Sequence, residues 1–246
     1  MAAIGLQRVA LAADRSRSGG TAYFVAKRVG DVVIASLLLV LVSPLLLIVA
    51  IAIKLDSPGP VIFAQQRIRG RRTRTDGETT WVIEPFTLYK FRTMQVATDT
   101  SLHRDYITAY MRGDEVRLAE LRPGRREGES FRPAADPRAT TVGRVLRTLS
   151  LDELPQLWNV VRGDMSLVGP RPPLDYEVEM YEEQHLTRLF GPSGITGWAQ
   201  VRGRCSIDFE KACRLDFEYL ASRSLWLDLK IMLLTIPVVL SRKGAD

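Results

Sequence analysis

Cysteine and histidine are nearly absent from this chain, with two of each among 246 residues. Cys205 and Cys213 cannot make a disulfide framework, which points most of the chain to a reducing, cytosolic setting. His103 and His185 lie too far apart in sequence for a recognisable metal pair, and both read as helix-surface histidines. A spread of positive charge over the body is missing too. The formal net charge is +6, yet the first 76 residues hold +7 and the remaining 170 sum to −1. A nucleic-acid-binding body needs its basic excess on a face of the domain, so no nucleic-acid partner is expected. Internal repeats and low-complexity domains are also lacking. A composition of 46% hydrophobic and 25% charged residues excludes wholesale disorder and fibrous repeats.

One long hydrophobic run is present. Residues 32–53, VVIASLLLVLVSPLLLIVAIAI, carry no charge and would form about 33 Å of helix. That length belongs to a membrane segment. It starts too deep in the chain for a signal peptide, and Lys54-Leu55-Asp56 offers no small-residue cleavage site. Ser43-Pro44 falls at its centre, where proline should bend or break the helix. Both flanks are basic, Lys27 and Arg28 before and Lys54 with the arginines of 67–74 after. The positive-inside rule places both on the cytoplasmic side, which requires a segment that enters the bilayer, turns and returns. A proline-kinked single span is the alternative. Near the other end, residues 231–240 are apolar, too short to span and interrupted by Pro237. They read as an amphipathic interfacial helix or a buried core helix.

The expected fold class is α+β: a helix-rich cytosolic domain with a small β-hairpin or sheet. Its divisions are a disordered tail 1–22, a re-entrant membrane helix 23–56, and a catalytic domain 57–246 closed by the interfacial helix. Strands are expected at 61–63, 81–83 and 86–89, with helices at 99–122, 142–161, 176–189 and 207–220. Residues 123–140 read as a basic Gly/Pro surface loop.

The chemistry concentrates in 143–172. Asp152 and Glu153 are adjacent carboxylates, and Ser150-x-x-Glu153 also spells a helix capping box. A cap needs no arginines, whereas Arg147, Arg162 and Arg171 surround this pair. Gly169-Pro170-Arg171-Pro172 stiffens the backbone on both sides of Arg171, as aiming one guanidinium requires. Carboxylates facing arginines beside a membrane suit phosphoryl transfer, in which the protein mostly positions and neutralises charge. A carboxylate can also act as the nucleophile.

Ordered strings extend this pattern along the chain. They include Lys27-Arg28-x-x-Asp31, Ser43-Pro44, Gly59-Pro60-Val61-Ile62-Phe63-x-Gln65-x-Arg67 and Lys90-Phe91-Arg92-Thr93-Met94. Asp136-Pro137-Arg138, Leu146-Arg147, Ser150-Leu151-Asp152-Glu153-Leu154-Pro155-Gln156-Leu157 and Asn159-Val160-Val161-x-Gly163-Asp164-Met165-Ser166-Leu167-Val168-Gly169-Pro170-Arg171-Pro172 follow. Gly194-Ile195-Thr196-Gly197-Trp198-Ala199-Gln200-Val201 and Leu215-Asp216-x-x-Tyr219 complete the set. Together they resemble the bacterial sugar transferases, the monotopic phosphoglycosyl transferases, over about residues 24–240.

That resemblance implies transfer of a sugar 1-phosphate from a UDP-sugar to polyprenyl (undecaprenyl) phosphate, the first membrane step of bacterial glycoconjugate synthesis. It implies Asp152 as the nucleophile that releases UMP and carries a covalent phosphosugar, with Glu153 as its dyad partner. Mg²⁺ would bind at Asp152 and bridge the diphosphate. Arg147 would hold a phosphate oxygen, with Lys90 and Arg171 as further anion contacts. Ser43 and Pro44 match the break of the family's re-entrant helix. The partners implied are inner-membrane lipids, the donor and the acceptor, with a homodimer as one permitted assembly. The location implied is the inner membrane, with the catalytic domain on its cytoplasmic face.

Two departures from the pattern stand out. Arg69 takes a place where the family usually has glycine, with Gly70 after it, and the stretch between Met94 and Asp136 is longer than in compact members. No multi-span region precedes residue 20, as in the small form of the family. The rival from another class is a non-catalytic membrane anchor whose dyad only caps a helix. Trp198 reads as core packing, with stacking on uridine as the alternative.

Overall fold

The computed structural model describes residues 20–75, 78–96, 101–121, 138–203 and 207–240, with a two-residue strand at Ala10–Leu11 (β1). The remainder of the expected tail up to residue 19, the basic loop over 123–137, Asp136-Pro137 and Cys205 lie outside the described residues.

Helix α1, Thr21–Asp56, has 36 residues, about 54 Å of helix. Among the described residues it is the one helix long and apolar enough to cross a membrane. Its buried residues form a narrow seam: Lys27, Asp31 and Ala35 towards the start, Val49 and Ile53 towards the end. The rest is bare hydrocarbon, with Val40 and Leu41 74% and 75% exposed. An apolar face of that extent marks a membrane or partner contact.

The sequence predicts a break at Ser43-Pro44, but the helix continues through both residues. Pro44 has no amide hydrogen for the carbonyl of Val40, four residues back. Ser43 Oγ donates to that carbonyl at 2.8 Å instead. The neighbouring hydroxyl thus satisfies the acceptor that proline orphans, as lipid surroundings demand.

The basic flank before the apolar run also has another role. Lys27 Nζ pairs with Asp228 at 2.9 Å, both side chains almost fully buried. Tyr219 OH and Tyr23 OH donate to the same carboxylate at 2.7 and 3.1 Å. Arg28 donates to the carbonyls of Val160 and Val161 at 2.5 and 2.8 Å. Asp31 accepts from the amide of Leu167 at 3.1 Å. Lys27-Arg28-x-x-Asp31 therefore bolts α1 to the body, and Lys27 is not a free surface charge.

Strands β2 (Ile62–Thr75) and β3 (Glu78–Phe91) form one long antiparallel hairpin of 14 residues per strand. Its register runs from Ile62 opposite Phe91 to Thr75 opposite Glu78, and β1 adds on the outer side of β3. The expected short strands are thus parts of one hairpin, and the arginines of 67–74 lie on β2. Alternation puts Arg67, Leu88 and Lys90 on one face. Ile68, Gly70 and Ile83 take the other, where Ile68 and Ile83 pack on Leu189. A Cβ on Gly70 would stand 1.6 Å from the Leu189 carbonyl oxygen. The displaced glycine of the family pattern is thus fixed by packing, while Arg69 pairs with Glu84 and Asp164 at 2.8 and 3.2 Å.

The predicted helix 99–122 divides into α2 (Ser101–Arg112) and α3 (Glu115–Leu121) at Gly113, whose φ of +64° ends the first helix. The predicted helix 142–161 is α4 (Thr141–Thr148), a 3-10 turn Leu151–Glu153 and α5 (Gln156–Arg162). The predicted helix 176–189 shrinks to α6 (Asp175–Val178) and a 3-10 helix Glu183–Leu189. Between these lies β4 (Ser166–Val168), which pairs in parallel with β5 (Gly194–Thr196). Then follow α7 (Trp198–Gly203), α8 (Phe209–Ser222) and α9 (Leu225–Leu240). Phe86, Leu88, Leu157, Val160, Val168, Tyr219 and Ile231 form the centre of the main core.

Helix α9 continues through Pro237 and buries Asp228 and Ile231. Its outer side carries Leu225, Trp226, Leu229, Leu233, Leu234 and Ile236 exposed. The outward side is thus mostly apolar, with Lys230 also exposed, and a buried carboxylate sits on the inward one.

Candidate active site

Residues 149–155 leave helical geometry just where the carboxylates stand. Ser150 is the one non-glycine residue with positive φ (+55°) among the described residues. Such a backbone is uncommon for serine and marks a position fixed by its surroundings. The chain then makes the single 3-10 turn that carries Asp152 and Glu153. The capping box does not form: Ser150 makes no side-chain cap bond. Glu153 Oε1 instead accepts from Lys90 Nζ at 2.7 Å. Asp152 is buried at 5% exposure, and Glu153 is half-buried beside it.

A fully buried asparagine sets this turn against the hairpin. Asn159 Oδ1 accepts from the Tyr89 amide at 3.0 Å, while its Nδ2 donates to the Thr87 carbonyl at 2.7 Å and to Asp164 at 3.2 Å. It therefore ties α5 to the strand that presents Lys90. The sequence shows Asn159 inside a matching string but gives no sign of this clamp.

On the opposite wall, the segment 169–173 is pinned from two sides. Gly169 donates to the Thr196 carbonyl and Gly194 to that of Pro170, both at 2.9 Å. A Cβ on Gly169 would lie 2.0 Å from the Pro192 carbonyl oxygen. Pro172 and Pro173 accept from Arg67 Nη1 and the Ile68 amide at 3.1 and 2.9 Å. These bonds fix the backbone on both sides of Arg171.

Arg67, Lys90, Glu153, Gln156, Arg171 and Pro172 line a small, open cleft. Arg67 is a site residue that the sequence reading left without a role. It is 4% exposed, and its other bonds go to Gln65 Oε1 at 3.2 and 2.9 Å. Among the described residues it has no carboxylate in ion-pair range. Burial and the neighbouring Arg171 hold its pKa down to about 10.

Arg147 ends α4 outside the lining of this cleft, but its field reaches the same region. His103 on α2 is pushed down to about 4 by burial and then by Arg171, Arg67, Arg138 and Arg147. The structure therefore gathers Lys90, Arg147, Arg171 and Glu153 around one electropositive basin, and adds Arg67 and His103. Arg162 turns away to Asp164 at 3.3 Å.

His185 is buried at 4% exposure, bonded to the Glu182 amide and to Glu210, so its reading as a surface histidine is corrected. Trp198 lies in the main core at 9% exposure, with Arg202 over its ring at 4.3 Å. Packing is the reading of Trp198 that the geometry favours.

No group of three His, Cys, Asp or Glu side chains that could hold a metal occurs among the described residues. Mg²⁺ needs no such cage: it commonly binds through one or two carboxylates, substrate phosphates and water. Asp152 and Glu153 beside a cleft lined by Arg67, Lys90 and Arg171 suit that donor set.

The profile of the bacterial sugar transferase family matches residues 22–242. The chain is 40% identical over 229 residues to the UDP-glucose:undecaprenyl-phosphate glucose-1-phosphate transferase of Caulobacter vibrioides, covering 89% of this chain and 71% of that protein. It is 39% identical over 221 residues to an uncharacterized sugar transferase of Haemophilus influenzae, covering 90% and 42%. It is also 39% identical over 218 residues to the UDP-glucose:undecaprenyl-phosphate glucose-1-phosphate transferase of Escherichia coli, covering 85% and 39%. The chain thus spans less than half the length of the last two relatives.

Proposed function

We propose, from the premise that the chain belongs to the bacterial sugar transferase family, that it transfers a sugar 1-phosphate from a UDP-sugar to polyprenyl phosphate. A carboxylate oxygen of Asp152 bonds to the sugar-linked phosphorus, and the bond from that phosphorus to uridylate breaks. UMP leaves with the electron pair, and the phosphosugar stays on Asp152 as an acyl phosphate. A phosphate oxygen of the polyprenyl acceptor then attacks the same phosphorus and releases the Asp152 carboxylate. Glu153, held by Lys90, stands beside that attack and takes any proton the acceptor gives up. Arg147 and Arg171 neutralise the phosphate charge that develops. Mg²⁺, held through Asp152, neutralises the donor diphosphate when bound.

The observation that carries this reading is the 2.7 Å contact of Glu153 with Lys90 in place of a helix cap. A mere anchor needs neither that contact nor the arginine-lined cleft. The test is UMP release from a panel of UDP-sugars with polyprenyl phosphate and Mg²⁺, for wild type and Asp152→Asn. Release by the wild type alone is expected; equal release by both, or none from any sugar with verified acceptor, overturns it.

The membrane arrangement we infer is a re-entrant α1 that bends at Ser43-Pro44, with the domain of residues 57–246 on the cytoplasmic face of the inner membrane. Exposed Trp158 and Trp226, at 52% and 75%, suit the headgroup level. The acceptor's phosphate lies at that level, and Trp158 is six residues from the nucleophile. Single cysteines replacing Thr21 and Ser57 should react with an impermeant thiol reagent from the same side. Reaction from opposite sides would mean a single span.

A further inference from the structure

The cleft has a charged side and a neutral one. Arg67, Lys90 and Arg171 can only donate hydrogen bonds, which suits phosphate oxygens. Gln156, Ile195 and Gln200 line the same cleft and carry no charge. Gln200 Nε2 donates to the Ile195 carbonyl at 3.1 Å, which fixes the orientation of its amide. The Oε1 of that amide is buried and has no hydrogen-bond partner among the described residues. Gln156 is 4% exposed, and its carboxamide bonds to no described residue. Polar groups buried in this way are costly unless a ligand pairs them.

Both amides stand on fixed elements. Gln156 opens α5, three residues after Glu153, and Asn159 clamps that helix to the hairpin. Gln200 lies on α7, which Trp198 roots in the main core. Gly197 leaves room for it: a Cβ there would stand 3.0 Å from Gln200 Oε1 and 2.4 Å from the Gly169 carbonyl oxygen. An ionised phosphate oxygen has no hydrogen to give an amide oxygen, whereas a hydroxyl both donates and accepts and so matches either end of a carboxamide. In a UDP-sugar the hexose is one oxygen away from the phosphorus that Asp152 attacks. The uracil ring lies beyond the second phosphate and the ribose. Carboxamides that share a small cleft with Glu153 therefore face the hexose.

We propose that Gln156 and Gln200 form the wall of the cleft that selects the sugar, by pairing with its hydroxyl groups. The proposal rests on the phosphotransfer reading and deepens it. Gln200 turns about its soft terminal torsion, and its Oε1 accepts from one hydroxyl; Gln156 pairs with another. A hexose lacking the matching hydroxyl leaves a buried amide unpaired, the arrangement that discriminates most strongly against an analogue. A sugar carboxylate at this wall would set acceptor against acceptor, so the ligand is a neutral hexose.

Calorimetry on the full chain in lipid nanodiscs, with Asp152→Asn in every sample to keep the donor intact, tests this wall. The probes are UDP, UDP-glucose, UDP-galactose and the two corresponding UDP-N-acetylhexosamines. Gln200→Met should weaken the tightest-binding UDP-sugar about tenfold or more and leave UDP unchanged. One monodeoxy analogue of that sugar should bind the parent protein as weakly, with no further loss when Gln200→Met is added. Gln156→Met should act in the same way on a different hydroxyl. Unchanged affinity for every UDP-sugar in the folded variants overturns the proposal, and so does an equal loss for UDP, which would turn the amides toward the nucleotide. A further result needs no variant: if every monodeoxy analogue binds as tightly as its parent sugar, the wall does not read hydroxyls and the proposal fails. If the expected losses appear while the wild type releases no UMP from any sugar, the sugar wall stands and the phosphotransfer reading falls. UMP release with binding indifferent to both glutamines leaves the reverse.

Discussion

Arg188 and Arg67 are both set deep in the body, and they are treated in opposite ways. Arg188 is held by Asp216 at 2.8 Å and by the Tyr181 hydroxyl at 2.9 Å. Burial works against its charge, but Tyr181 and Asp216 outweigh burial and lift its pKa above the ordinary value. Arg67 has neutral oxygens for partners and Arg171 for a neighbour, and its pKa falls to about 10. One cation is completed by the fold, and the other lines a cleft with no carboxylate in ion-pair range among the described residues. The nearest carboxylate is what tells the two arginines apart.

Substitution can sharpen or break that division. The largest effect belongs to the cleft: Asp152→Asn should lower UMP release on the order of 10⁴-fold or more, with thermal unfolding nearly unchanged. A comparable loss of folded protein would make Asp152 structural. Asp216→Asn should do the converse, leaving Arg188 without its carboxylate and costing about 3 kcal/mol of stability, read by denaturant or thermal unfolding in a membrane mimic. If Arg67→Met destabilises as much, the contrast between the two arginines fails; the expected change is within about 1 kcal/mol.

His103 adds a pH arm to the comparison. Its pKa in the fold is about 4, against roughly 6.5 for an unfolded chain. Above the unfolded value both states are neutral. As pH falls from there to about 4 the unfolded state binds the extra proton, so stability declines over that window and then levels. His103→Asn should flatten that acid limb of the unfolding curve, and an unchanged limb would mean the imidazole is not held neutral. The smallest effect is Ser43→Ala, which strips the Val40 carbonyl of its hydroxyl partner for about 1 kcal/mol.

What the sequence discloses follows the range of the interaction. The long apolar run, the α+β class and the dyad with its arginines are local signals, and the family strings place them in order. The hairpin was legible in part: the short runs 61–63, 81–83 and 86–89 read as strands, but the arginines of β2 read as a membrane flank. Helix 142–161 read as continuous because nothing in the Leu149-Ser150 pair announces a left-handed backbone. Arg67, Asn159 and His103 escaped assignment because each acts through contacts with residues distant in the chain. Lys27 misled for the same reason, since a buried lysine and a surface one look alike until the partner is known.

That partner raises a matter of timing. Lys27 and Asp228 stand 201 residues apart in the chain, and synthesis runs from the N-terminal side. The apolar run after Lys27 leaves the ribosome, and can enter lipid, long before Asp228 has been made. Throughout that interval the lysine lacks its carboxylate partner, although Arg28 and Asp31 of the same helix can already engage Val160, Val161 and Leu167 once those are made. Only when the residues of α9 arrive can the ammonium group shed its water and the tyrosines close over the carboxylate. Assembly of this protein therefore ends with a polar latch drawn shut at the membrane surface, after the hydrophobic step is already done.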